Sequence, residues 1–267
     1  MTTIAARLQA VRSRIDAAAG TAGRSPADIR LVAVSKTFAP AAIAEAHAAG
    51  QVAFGENYLQ EAVGKIAALS GLRLEWPVAN GKQDDRLRES DVRPSSGVTS
   101  PQAGPLLLPL EWHFIGPIQS NKTRQIAEHF HWVHGVDRLK IAERLAIARP
   151  ASLPPLEICI QVNVSGESSK SGVRPDEVLA LAQAASRLAG IRLRGLMAIP
   201  EPTPDTGLQR SRFRQIRELK DEIVRRGIAL DTLSMGMSDD LEAAIAEGAT
   251  LVRVGRAIFG ERLPHAG

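Results

Sequence analysis

The sequence predicts an α/β protein of the (β/α)8 TIM-barrel class, and three observations carry that prediction. Short apolar runs alternate with segments of helical period along almost the whole chain. Eight such runs can be counted, and each of the first seven is followed by a helical segment. The first run, Arg30-Leu31-Val32-Ala33-Val34-Ser35-Lys36, holds four consecutive apolar residues with no polar alternation, as a parallel strand covered on both faces requires. No Gly-x-Gly-x-x-Gly follows it, which argues against a doubly wound dinucleotide-binding sheet.

In chain order, Ile4, Leu8, Val11 and Ile15 share one stripe of an extra N-terminal helix, capped by Thr3 and closed by Gly20, with Arg7, Arg12 and Arg14 on its remaining surface. Ser25-Pro26 with Asp28 makes one helical turn leading into the first strand. Pro40 opens a helix that Gly50 closes. The second strand, residues 52–55, delivers Glu56, Asn57 and Tyr58, and the helix after it turns Leu59, Val63, Ile66 and Leu69 to the core. Residues 77–109 lose all period among Pro, Gly, Ser and charged side chains. The same Leu-Glu-Trp triplet stands at 74–76 and at 110–112, so this stretch reads as a flexible insertion in one domain spanning 1–267.

Regular alternation resumes with a third strand at 110–116 and a helix from Ser120-Asn121-Lys122. The fourth strand is 132–136, with Asp137 capping a helix that carries Leu139, Ala142 and Leu145. The fifth, 157–163, alternates Ile158, Ile160 and Val162; a small-residue loop to Val173 and a helix opened by Pro175 follow. The sixth, 193–199, contains Gly195 and leads to the stripe Phe213, Ile216, Leu219 and Ile223, ended by Gly227. After the seventh strand, 230–234, Ser238 caps a helix over Leu241 and Ile245 that stops at Gly248. The last strand is 251–254, with Gly255 at its mouth.

Composition narrows the function classes. The net charge is 33 − 29 = +4, spread along 267 residues, and aromatics make up 4%, a poor basis for a nucleic-acid surface. A single cysteine rules out an intrachain disulfide and fits a reducing compartment. The N-terminus lacks the apolar run of a signal peptide and no stretch is long enough to span a bilayer, so a cytoplasmic protein is expected.

In a barrel, reactive residues lie at the C-terminal ends of the strands. Those ends give Lys36, Asn57, His113, Asn163, Met197, Ser234, Ser238 and Arg253-Val254-Gly255. Lys36 stands out, because an unperturbed lysine is neutral in only about 1 molecule in 2,500 at pH 7, and a barrel mouth is where burial and nearby cations favour the amine that attacks a carbonyl. Ser234-Met235-Gly236-Met237-Ser238 brings hydroxyls and backbone N–H groups to the start of a helix, and Gly255-Arg256 adds donors with no Cβ in the way. Loops after strands seven and eight are where barrels hold phosphate. A reactive lysine facing a phosphate cup points to pyridoxal 5′-phosphate (PLP), with Arg253 beside the pyridine nitrogen, where it keeps that nitrogen unprotonated. A salt bridge inside the barrel is the plainer role for Arg253.

LVAVSK (31–36), FGENYLQE (54–61), EWHFIGPIQSNK (111–122), SKSG (169–172) and LSMGMSDDLEAAIAEGATLVRVGRAIFG (233–260) resemble the YggS/PROSC family of PLP homeostasis proteins. The resemblance covers nearly the whole chain and implies a barrel of the alanine racemase N-terminal type. It implies a Schiff base between PLP and Lys36, phosphate contacts from Ser234, Ser238, Gly255 and Arg256, Arg253 near the ring nitrogen, and Asn57 near the cofactor. It further implies control and supply of free PLP without established turnover, with amino acids and PLP-dependent apoenzymes as further partners. The segment 77–109 is a departure from the family pattern. No nucleic acid, membrane or metal is expected, and no exposed apolar stripe demands a dimer, so a monomer is expected.

Three features point elsewhere and are outweighed. His129, His131 and His134 straddle a helix end and a strand and lack acidic or cysteine partners for a metal. Arg210, Arg212, Arg214, Arg217, Lys220, Arg225 and Arg226 fit a solvated helix face. Cys159 sits on an apolar strand and reads as core. The rival activity is amino-acid racemisation, which needs a base on each face of the substrate. The second base of the racemases is a tyrosine from a separate β-domain, which this sequence is expected to lack, and its one tyrosine is Tyr58.

Overall fold

The computed structural model describes residues 2–70, 109–164 and 171–261. Its strands are β1 (Arg30–Val34), β2 (Ala53–Glu56), β3 (Glu111–Phe114), β4 (Trp132–Val136), β5 (Leu156–Val162), β6 (Ile191–Ala198), β7 (Thr232–Ser234) and β8 (Leu251–Val254). They pair in parallel in sequence order, and β8 closes on β1 through Arg30–Leu251 to Ala33–Val254. The helices are α1 (Ile4–Thr21), α2 (Pro40–Ala48), α3 (Leu59–Leu69), α4 (Thr123–His129), α5 (Leu139–Ala148), α6 (Val178–Ala185), α7 (Thr206–Arg225), α8 (Leu241–Ala246) and α9 (Arg256–Phe259). The predicted (β/α)8 barrel with an extra N-terminal helix is the observed fold. The expected insertion at 77–109 lies outside the described residues apart from Pro109.

Two apolar layers follow from strand parity. Leu31, Ala33, Phe54, Phe114, Val133, Ile158, Leu196 and Val252 face outward into the layer shared with the helices. Val32, Ala53, Trp132, Cys159, Met197 and Leu251 face inward as a separate, smaller cluster. The rest of the interior is polar: His113, His134, Gln161, Ser234 and Arg253 are all buried there. A barrel core is normally branched and apolar, so this polar filling departs from the rule. Gly195 sits at the register shift between β5 and β6, and a Cβ there would stand 1.8 Å from the Thr232 carbonyl oxygen.

The N-terminal helix is more than a cover. Thr3 caps it and Ile4, Leu8, Val11 and Ile15 are buried as expected, but it runs past Gly20 to Thr21, and Gly23 takes the left-handed turn. Its arginines, expected to be simply solvated, bind carbonyls: Arg7 donates to Ile258 O, Arg12 to Ala49 O and Gly50 O, and Arg14 to Ser238 O and Glu242. Arg24 donates to Ile245 O and Ala249 O. Long guanidinium stems thereby satisfy helix-end carbonyls at the barrel rim.

Other local expectations shift. The strand predicted through Lys36 ends at Val34, and the seventh strand begins at Thr232 instead of Leu230. Arg138, not Asp137, is the N-cap residue of α5, and Leu139 is exposed while Ile141 takes its place in the core. Ser238 does not cap α8; the cap position is Asp240, and Ser238 lies two residues earlier in a turn. On α3, Lys65 is buried beside Leu59, Ala62 and Leu69, whereas Val63 and Ile66 pack only partly.

Candidate cofactor site

Lys36 lies two residues beyond β1, with the parity of inward-facing Val32, and is half-buried. The turn that carries it is unusual. Thr37 has φ 69°, the left-handed region that a β-branched residue enters at a cost of roughly 1–2 kcal/mol. A polar cluster behind the turn holds it there. Thr37 N–H donates to Glu61 Oε1 at 2.6 Å, and Ser35 Oγ–H donates to Glu56 Oε1 at 2.6 Å. Lys65 Nζ donates to Ser35 O at 2.8 Å, to Glu56 Oε1 at 2.8 Å and to Glu61 Oε1 at 2.5 Å. Burial pushes the Glu56 carboxyl above its usual range, against the pull of Lys65 and Ser35. Nothing in the sequence alone marks Glu56, Glu61 or Lys65 as partners of this turn. The available signals were Lys65 on the stripe of Leu59, Ala62 and Leu69 and the Glu61–Lys65 spacing of one helical turn.

On the neighbouring strand, Arg253 projects inward from β8 in register with Val32 of β1 and is 3% exposed. It donates to Ser234 Oγ at 2.6 Å and to Ala198 O at 2.9 Å. No carboxylate pairs with it among the described residues, so the plainer reading of Arg253 as half of an internal salt bridge does not hold. Burial pulls its pKa down to about 10, opposed by Asp240, and the guanidinium remains cationic at neutral pH. The Ser234 hydroxyl is fully buried, accepts from Arg253 and lies 2.7 Å from His134 Nδ1.

The loops after β7 and β8 stand beside the lysine turn and not across from it, because β8 pairs with β1 and β7 with β8. Gly236 has φ 96° and a Cβ there would stand 2.6 Å from Ala244 Cβ, while one on Gly255 would meet Val34 O at 3.1 Å. Arg256 pairs with Asp239 and ties the two loops together. Asp240 turns inward and accepts from Met237 N–H at 2.6 Å. The first amides of α9 have no acceptor within their own helix. Asn57 follows β2, and its Oδ1 is buried with no hydrogen-bond partner, as is Oγ1 of Thr37. Two orphaned polar atoms on the segments after β1 and β2, with a buried cation on the neighbouring β8, fit a polar, anionic ligand such as PLP. The histidines do not converge on a metal: His131 Nδ1 accepts from Trp112 N–H, and His134 lies inside the barrel beside His113.

This geometry defines a class, the closed parallel barrel with a mouth lysine after its first strand and glycine-bearing loops after its last two, and a family model described as "Alanine racemase, N-terminal domain" matches residues 6–263. A Pseudomonas aeruginosa protein named pyridoxal phosphate homeostasis protein is 55% identical over 98% of this chain and 97% of its own. The Escherichia coli K12 protein of the same name is 49% identical over 98% of each. The structure of PipY from Synechococcus elongatus with PLP bound superposes with a TM-score of 0.74 at 34% identity, covering 97% of this chain and 100% of that one. The chain belongs to the pyridoxal phosphate homeostasis protein family, on the alanine racemase N-terminal barrel.

Proposed function

We propose that the protein binds PLP at Lys36 and takes part in controlling the free cofactor, holding and releasing it without turning over amino acids. The observation that carries this reading is Arg253, a buried guanidinium at the mouth whose partners are two neutral oxygens. A buried cation without a counterion calls for an acceptor. When bound, PLP supplies an aldehyde and an electron-withdrawing pyridine ring. Lys36 Nζ is the group that bonds it covalently. Arg253 donates an N–H to the ring nitrogen and so keeps protons off it, which weakens the ring as an electron sink. Asn57 orients the cofactor through its free Oδ1, and the Ser238, Gly255 and Arg256 segment receives the phosphate. Thr37 and the Lys65 cluster keep the lysine turn in place.

The name shared by the two bacterial relatives and the PLP in the PipY structure support the ligand and the role. Among the described residues no helix is long and apolar enough to cross a membrane. We place the protein in the cytoplasm as a monomer, with PLP, amino acids and PLP-dependent apoenzymes as its partners. Tyr58, the sole tyrosine, is 54% exposed just beyond β2, poorly placed as a second base. The test is Cα-proton exchange of alanine and serine in D₂O, alongside transfer of PLP to an added apoenzyme. Trace exchange with measurable transfer is expected. Exchange at enzymatic rates, on the order of 1–10³ s⁻¹ and abolished by Lys36→Ala, would replace the carrier with a racemase.

A further inference from the structure

The barrel axis contains a continuous line of polar side chains that the proposed site uses only at its upper end. Glu111 Oε1 lies 2.5 Å from His113 Nε2, His113 Nδ1 lies 2.9 Å from His134 Nε2, and His134 Nδ1 lies 2.7 Å from Ser234 Oγ. Ser234 Oγ lies 2.6 Å from Arg253 Nη1. His113, His134 and Ser234 are fully buried. Trp132, a member of the inner apolar cluster, stacks on His113 at 5.6 Å between centroids.

The direction of every bond can be worked out from its two ends. A carboxylate only accepts, so His113 Nε2–H donates to Glu111. A neutral His113 then has a bare Nδ1, so His134 Nε2–H must donate to it. That leaves His134 Nδ1 bare, and Ser234 Oγ–H must donate to His134. A guanidinium only donates, so Arg253 gives its N–H to the oxygen of Ser234. All four bonds point from Arg253 down to Glu111, and only this arrangement satisfies both ends with neutral imidazoles. Burial keeps both histidines below their usual pKa, while the hydrogen bond from His113 and the adjacent Arg30 hold Glu111 ionised against its own burial.

We propose that Glu111, His113, His134 and Ser234 form a one-directional hydrogen-bonded relay that fixes the Ser234 oxygen as an acceptor for Arg253 and so holds the orientation of the guanidinium, making them positioning residues for the cofactor ring. The inference rests on PLP being the ligand. Successive bonds of one polarity strengthen one another in a low-dielectric interior, and the fixed hydroxyl of Ser234 can only accept from above. Without His134 that hydroxyl turns freely and no longer presents a fixed acceptor, and the Arg253 fork loses its seat.

The test has one arm that needs no cofactor. With ¹⁵N-labelled histidine, His113 and His134 should both be neutral near pH 7 with the proton on Nε2 and a bare Nδ1. A cationic ring, or an Nδ1–H form of either, overturns the relay. In the second arm, borohydride labelling of Lys36 is confirmed first on the loaded wild-type protein; its failure there overturns the PLP reading and leaves the histidine arm standing. His134→Phe should then release PLP about ten- to a hundredfold faster, as loss of a charge-assisted bond implies, with a shifted PLP absorption band. His134→Gln, which can accept from Ser234 and donate to His113, should return release and band to near wild type. Equal behaviour of Phe and Gln, or no change in either, overturns the proposal. If His134→Phe does not fold, Glu111→Met substitutes: loss of its acceptor should populate the Nδ1–H form of His113, and an unchanged tautomer counts against the relay.

Discussion

Replacing Lys65 by methionine isolates the cluster that holds the lysine turn. The side chain is 5% exposed and its ammonium bridges Glu56, itself 0% exposed, and Glu61. Methionine keeps most of the stem volume, so the perturbation is mainly one of charge. It leaves Glu56 as a buried carboxylate without its cation, and the cheapest relief is to bind a proton. Starting from the usual carboxyl value of 4.5, protonation costs about 1.36 kcal/mol per pH unit, roughly 3.4 kcal/mol at pH 7 and 1.4 kcal/mol at pH 5.5. That agrees with the roughly 3–5 kcal/mol expected when one partner is removed from a buried pair. The assay is urea unfolding of wild type and Lys65→Met at both pH values. Destabilisation should grow by about 1.4 kcal/mol per pH unit, and the double variant Glu56→Gln/Lys65→Met should lose that dependence. A loss below about 1 kcal/mol that is flat with pH would refute the reasoning, because Glu56 would then have found water or another partner.

Other outcomes follow from single positions. Gly195→Ala drives a Cβ into the Thr232 carbonyl and should cost upwards of about 3 kcal/mol in urea unfolding. His134 is held well below its usual pKa by burial; the unfolded chain therefore binds a proton that the folded one does not, and stability falls as pH drops below about 6.5. Between pH 7.5 and 5.5 the loss is about 1.4 kcal/mol for each histidine that stays neutral, measurable by urea unfolding of wild type against His134→Gln. Arg253→Lys replaces a fork by one ammonium that cannot serve both Ser234 Oγ and Ala198 O; PLP should be released at least about tenfold faster by fluorescence dilution. Because 77–109 has no core-forming period, a chain lacking it should fold and bind PLP nearly as well, tested by soluble yield and PLP stoichiometry.

What the sequence showed best was periodicity. The runs 132–136 and 251–254 are strands with those same ends, and Gly50, Gly227 and Gly248 end their helices with positive φ, as their lack of a Cβ allows. The expectation that Arg253 lies inside the barrel also holds. The misses have a common cause: they depend on side chains meeting across the barrel. Lys65 reads as a surface lysine on α3 until Glu56 and Ser35 are brought against it from β2 and β1. His134 reads as one of three clustered histidines in sequence, yet its partners come from β3 and β7, one of them 100 residues away. Ser234 carries a hydroxyl suited to phosphate, and only the register of β7 against β8 reveals that Arg253 and His134 already use it.

The measurement that bears most directly on the account is borohydride reduction of PLP-loaded protein followed by peptide mass analysis. The account requires one stable pyridoxyl-phosphate adduct on the peptide containing Lys36, and its disappearance from that peptide in Lys36→Ala. An adduct on a different lysine in the wild-type protein, or equal labelling of Lys36→Ala, would contradict the central claim that this lysine, after the strand that pairs with the strand of Arg253, holds the cofactor.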